Sequence, residues 1–337
     1  MPDSRVGRRD FFKIGGAAAV SVGTSAKLNT TSGGASAATS VPAATQFPKL
    51  ALITDYSPQK LQFAANTGYE GVVLPVEGAF DPDKLSDTQI DQVKSAAQQA
   101  GVSILSLECM WGFNHIAPDP GERRKARARF IRSLEFAHRL GCKFVGTFSG
   151  GMPKASVDNQ VKELAEVINE TYLPICEKLD LRIGPENYPT QENFATVPAT
   201  WEKLMALVPN HRFGLEFDPS HLVRQFIDPI QTAWDFRDRI LGVHAKDTEI
   251  IEPVLAKVGI HGQGWWRYRI PGQGLINWPK FITVLLQAGF RGGMSVEHED
   301  DFWDEKTSNQ AEFAQARKDG FILASRFLRQ YLPGRLD

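Results

Sequence analysis

From Leu50 onward, short runs of Val, Ile, Leu and Phe alternate with longer segments in which apolar residues return every three or four positions. The short runs are too brief for helices and are rich in strand-forming residues, which predicts strands at "LALITD", "GVVLPVE", "VSILSLE", "KFVGTFS", "LRIGPEN", "FGLEFD", "LGVHAKD" and "GMSVEHE". Between them, "DTQIDQVKSAAQQAG", "ERRKARARFIRSLEFAHRLG" and "DNQVKELAEVINETYLPICEKL" carry helical spacing, with Gly often placed to stop the helix before the next strand. Strands that are apolar at nearly every position are buried on both faces, as in a parallel sheet covered by crossover helices. Eight such units predict an α/β fold, a single closed (β/α)8 barrel over residues 47–337, with a doubly wound open sheet as the alternative. No GxGxxG or GxxxxGK[ST] follows the first strand, which removes the nucleotide signature an open sheet most often carries.

The first 46 residues break this pattern. In "GRRDFFKIGGAAAVSVG", Arg8 and Arg9 precede Phe11, Phe12 and a short apolar run of small residues, and the alanine-rich "SGGASAATS" follows. This resembles a twin-arginine export signal, with Gly7 where Ser or Thr is common, and a small-x-small cleavage site such as Ala35-Ser36-Ala37. The run is about a dozen residues, well short of the roughly 20 a membrane span needs, so no stable span is expected. Residues 1–46 are therefore read as signal and linker, and the protein as exported, to the periplasm, after folding.

Composition narrows the partners. The formal net charge of -1 offers no basic field for a phosphate backbone, which argues against nucleic acid. Cys109, Cys142 and Cys176 are odd in number, far apart and free of Cys-x-x-Cys spacing, so they read as buried thiols and not as a disulfide framework or zinc site. A homo-oligomer is compatible with all of this.

The strand ends carry the chemistry. In a β/α barrel the C-terminal ends of the strands build the site. Strand five closes on Glu186, strand six on Asp218 in "DPSHL", strand seven on His244 and strand eight on Glu297. "DPS" is also a good turn and helix-start sequence. Four adjacent ends supplying Glu, Asp, His and Glu make a mixed oxygen and nitrogen shell suited to one divalent ion, with manganese or magnesium favoured by the oxygen majority and cobalt or zinc compatible. An ion-pair layer is the competing explanation, but Lys246 is the one formal cation at these ends, and carboxylates without a cation repel.

"GPEN", "DPSHL", "HAKD", "PGQGLINWPKF" and "GGMSVEHED", in this order, resemble the xylose isomerase-like TIM-barrel superfamily of sugar isomerases and epimerases over about Leu50 to Leu332. The resemblance implies a metal ion held by Glu186, Asp218, His244 and Glu297, with Glu186 and Glu297 as the acid/base pair and His221 contacting substrate. It departs at Ile250, where some epimerases place an arginine. A metal that chelates a carbonyl and its neighbouring hydroxyl acidifies the α-proton and stabilises an enediolate. Returning the proton to the other face gives an epimerase, and returning it to the next carbon gives an isomerase. Expelling a β-leaving group gives a lyase that cleaves a 3-keto-glycoside. Export points to an unphosphorylated sugar or keto-sugar as the small-molecule partner.

Further substrate-binding candidates are Lys246, two residues beyond His244 and on the same side of its strand, His115 in the loop after strand three, and Trp111 and Trp266 as aromatic platforms for sugar. His298 points away from Glu297 by parity and is left out of the shell. The "PGQG" turn holds no Lys, Arg or Ser and reads as structural rather than as a phosphate cradle. Two other functions are weighed: an abasic-site endonuclease, which needs more ligands from the early strands, and a non-catalytic sugar-binding barrel, which needs no paired glutamates.

Overall fold

Each of the eight predicted runs becomes a strand in the computed structural model, which describes residues 47–304 and 311–332. The first seven are β1 (Lys49–Ile53), β2 (Gly71–Pro75), β3 (Ser103–Cys109), β4 (Phe144–Thr147), β5 (Arg182–Pro185), β6 (Leu215–Phe217) and β7 (Ile240–Ala245). An antiparallel hairpin of β8 (Asp247–Ile250) and β9 (Trp266–Arg269) follows, and then β10 (Gly293–Val296). The parallel sheet runs β5-β4-β3-β2-β1-β10-β7-β6. Its open edges approach through the single pairings Ile183 with Phe213 and Glu186 with Glu216, which makes a nearly closed (β/α)8 barrel, as expected. The export segment expected over residues 1–46 lies outside the described residues. No helix among the described residues is long and apolar enough to cross a membrane.

Strand parity explains both the core and the site. Leu50, Leu52, Val72, Leu74, Leu107, Val145, Ile183, Phe217, Val243, Met294 and Val296 belong to the cluster that packs against the helices. Each such side chain, fully buried, contributes about 1.5–3 kcal/mol. The alternate positions face the barrel axis, and in the second half they read Gly184 and Glu186, Glu216 and Asp218, Gly242 with His244 and Lys246, and Ser295 and Glu297. Small residues, with Glu216 among them, line the lower barrel, and charged ones its mouth.

Two local expectations change. The predicted strand "LGVHAKD" stops at Ala245, and Asp247 opens the hairpin instead. No short turn signal marks that hairpin, because a helix over Glu252–Val258 separates its strands. "DNQVKELAEVINETYLPICEKL" is not one regular helix: α-helix over Val157–Val167 passes into a π-helical turn, Ile168–Tyr172, before α-helix resumes over Leu173–Leu179. Pro174 lacks the N–H that would continue the regular ladder.

Candidate metal centre and active site

The mouth brings Glu186, Asp218, His244 and Glu297 together, with one ligand atom from each lying within 4.8 Å of the others. His244 Nδ1 is 3.1 Å from Glu186 Oε1, 3.2 Å from Glu297 Oε2 and 4.0 Å from Asp218 Oδ2. Both readings of "DPSHL" hold at once. Asp218 caps the short helix Pro219–Val223, its Oδ1 accepting from Ser220 N at 2.7 Å, while the buried Oδ2 is left with no aligned hydrogen bond. Asn187 locks the ends of β5 and β6 together: its Oδ1 accepts from Asp218 N and its Nδ2 donates to Asp218 O, each at 2.8 Å.

Lys246 is fully buried, its Nζ 2.6 Å from Glu297 Oε2, 2.7 Å from Glu299 Oε2 and 3.2 Å from Asp218 Oδ2. It lies among the acids as their counter-charge. His221 is also fully buried; its Nε2 lies 3.2 Å from Glu186 Oε1 and its Nδ1 2.8 Å from the Tyr268 hydroxyl. Tyr268, on β9, was not a candidate in the sequence, because its strand carries no motif. Its ring also lies under Lys246 Nζ, 4.4 Å from the centroid.

The electrostatics follow from burial and neighbours. Burial pushes the Glu186 carboxyl up to about 8, against the pull of His244. Burial acts on Glu297 in the same sense, yet Lys246 and His244 outweigh it and hold that group well below the usual carboxylate range. Burial alone would lower His244, but Glu216, Glu186 and Glu297 raise it well above its ordinary value. Burial, then Lys246, Arg224 and His244, keep His221 well down and neutral. Lys246 and His244 thus face Glu186, Asp218, Glu297, Glu299, Glu108 and Glu216, with His221 neutral beside them. Three carboxylates and an imidazole around an orphaned buried oxygen fit a divalent cation, which would relieve this excess.

A cavity of about 550 Å³ lies over the cluster. Of the four candidate ligands, Glu186 and Glu297 line it, whereas buried Asp218 and His244 lie behind. Trp111, 56 % exposed, forms part of its wall with Phe148 and Tyr188, which stack on each other at 5.8 Å. Of the other expected substrate contacts, His221 and Lys246 are fully buried behind this cavity and do not line it, and two more lie elsewhere. His115 is buried with its Nδ1 2.9 Å from the Tyr172 hydroxyl and its Nε2 2.9 Å from Thr147 Oγ1, because its loop folds back under the Val157–Leu179 helical segment. Trp266 stands outside the cavity wall, under the Arg224 guanidinium at 4.3 Å. His298, left out by parity, nevertheless borders the cavity. The "PGQG" turn wraps the buried Asp247 carboxylate, which accepts from Gly272 N, Ile276 N and Trp278 Nε1, so the turn is filled by the protein's own acid.

Fold and strand-end chemistry together define a class, the β/α barrels with an acid-rich mouth. The profile of the xylose isomerase-like TIM barrel family matches residues 61–328, and the chain belongs to that family. The protein YfiH of Bacillus subtilis (strain 168), described as uncharacterized, is 27 % identical over 71 % of this chain and 87 % of its own length. The inosose dehydratase of Glaesserella parasuis serovar 5 (strain SH0165) is 26 % identical over 54 % of this chain and 66 % of its own length. A crystal structure of D-psicose 3-epimerase in the presence of D-fructose superposes with a TM-score of 0.64 at 15 % identity, covering 85 % of this chain and 100 % of that one.

Proposed function

We propose that the protein is a divalent-metal-dependent isomerase or epimerase of an unphosphorylated sugar or keto-sugar. The observation that carries this is the double placement of Glu186 and Glu297, which belong to the ion cluster and also line the cavity. A bound divalent ion, manganese by preference, would supply Lewis acidity toward a substrate carbonyl and its neighbouring hydroxyl. Glu186 and Glu297 are the acid/base pair, both facing the cavity, where one takes the α-proton and the other returns one. Lys246 keeps Glu297 ionised and in place, while His221, neutral and backed by Tyr268, orients Glu186. Trp111 offers the apolar face of a sugar a platform.

A lyase reading stands beside it. β-Elimination from a 3-keto-glycoside needs the same two carboxyl groups, one to take the α-proton and one to protonate the departing oxygen, and the similarity to an inosose dehydratase supports eliminating chemistry. The test is incubation of metal-loaded protein with free ketoses, their phosphates and 3-keto-glycosides in deuterated water. Deuterium uptake with epimer or isomer formation supports the first reading, and aglycone release without it moves the assignment to the lyase. Turnover of a phosphorylated sugar alone would defeat the proposal that the protein acts outside the cytoplasm. That location rests on Arg8 and Arg9, and an Arg8→Lys, Arg9→Lys chain should remain cytoplasmic. Elemental analysis tests the ion: the Glu186→Ala, Asp218→Ala double variant should lose it, and full retention would falsify the four-ligand site.

A further inference from the structure

Below the ion cluster, the other ring nitrogen of His244 meets a second pair of acids. Nε2 is 3.1 Å from Glu108 Oε1 and 3.3 Å from Glu216 Oε1, and Glu108, Glu216 and His244 are all buried. Neither contact has the alignment of a full hydrogen bond, and Glu216 Oε2 and Glu108 Oε1 are otherwise without a partner. The barrel wall is shaped around this pair. A Cβ at Gly146 of β4 would collide with the Glu216 carboxylate. The pairing of β6 with β7 shifts between Leu215 and Glu216, and that of β2 with β3 shifts between Val72 and Val73, leaving Leu241 and Leu105 as the extra residues. Such irregularities re-aim the side chains above them, here His244 and Glu108.

We propose that Glu216, assisted by Glu108, is a positioning residue that keeps the proton of His244 on Nε2 and so presents the Nδ1 lone pair to Glu186, Asp218 and Glu297. A neutral imidazole has one donor and one acceptor nitrogen, and the hydrogen bond at one decides which lone pair is free at the other. Carboxylates accept and never donate when ionised, so a carboxylate pair at Nε2 selects the Nε2–H form. The three atoms at Nε2 could themselves be taken for a second ion site. That would require His244 to give both lone pairs at once, which a neutral imidazole cannot do.

The inference rests on the four-ligand reading, and its test is built to fail separately. Manganese is titrated into wild type, Glu216→Leu, Glu216→Gln and Gly146→Ala, and bound ion is followed by calorimetry and by the electron paramagnetic resonance of the free ion. If wild type binds no ion, the four-ligand reading falls. If wild type binds one, Glu216→Leu should weaken binding about 10- to 100-fold. Gly146→Ala, which displaces the carboxylate, should act in the same direction, and Glu216→Gln, whose amide oxygen can still accept, should recover most of the loss. Long-range proton–nitrogen correlation of the imidazoles in the magnesium-loaded wild type reads the tautomer directly and does not depend on whether a variant folds. A His244 proton on Nδ1, unchanged manganese affinity in folded Glu216→Leu, or a second bound ion lost in that variant would each overturn the proposal.

Discussion

The two halves of the barrel mouth are built from the same β/α unit and do different work. β1 to β4 end in the wall of the cavity, with Pro75 closing β2 and Val76 following it, Trp111 after β3 and Phe148 after β4. β5, β6, β7 and β10 end in the ion cluster. The contrast is sharpest between two histidines, His115 and His244, each 1 % exposed. His115 meets the hydroxyls of Tyr172 and Thr147, and burial, with Arg127 nearby, pushes it down to about 3. His244 meets four carboxylates at 3.1–3.3 Å and is pushed well up in spite of the same burial. A buried histidine is neutral or charged according to its neighbours, so burial alone says nothing about chemistry.

The largest expected effect separates the halves by activity. Glu297→Gln and Glu186→Gln should each lower deuterium exchange into substrate by about 100- to 10,000-fold, the usual worth of a positioned acid or base. His115→Gln should leave exchange near the wild-type rate. Comparable losses in all three variants would break the comparison and put the first half of the mouth into the chemistry.

The second effect separates them by pH. His115 titrates at about 3 in the folded chain against an ordinary 6.5, so between those values the unfolded chain holds one more proton. The stability attached to this group is therefore complete above about pH 6.5 and is lost as pH falls, at roughly 1.4 kcal/mol per pH unit. His298, pushed down to about 4 by burial, acts in the same window. His115→Gln should flatten the acid limb of denaturant stability by one proton's worth. At pH 7 it should cost about 1–3 kcal/mol, because Tyr172 or Thr147 then loses a buried partner. An unchanged acid slope would show that His115 already titrates normally when folded.

What the sequence disclosed follows the same division. The strands were legible because their apolar runs are unbroken, and the four ligands because each ends such a run on a charged residue at inward parity. Glu216 was hidden between Leu215 and Phe217, where alternation reads as an ordinary half-buried strand although the residue faces the barrel axis. Tyr268 was hidden because β9 pairs with β8 across a helix and no short turn. His115 and Trp266 read as mouth residues from their place after a strand, but the path of the His115 loop and the β8–β9 hairpin that carries Trp266, which no local pattern encodes, leave both outside the cavity wall.

The smallest effect probes the wall itself. Trp111 packs edge-on against Phe148 at 5.1 Å and Tyr188 at 6.1 Å while more than half of its surface stays open to the cavity side and solvent. A ring used for core packing is seldom left so exposed, whereas a platform for a sugar face must be. Trp111→Ala removes a contact made equally in ground and transition states, which raises KM and leaves kcat unchanged. The loss of one aromatic contact is worth about 0.5–1.5 kcal/mol, a rise in KM of about two- to twelvefold. Trp266→Ala, outside the cavity wall, should leave both constants unchanged. A fall in kcat for Trp111→Ala would instead place this side chain among the groups that fix the reacting carbon, and the wall of the first half would then share in the chemistry of the second.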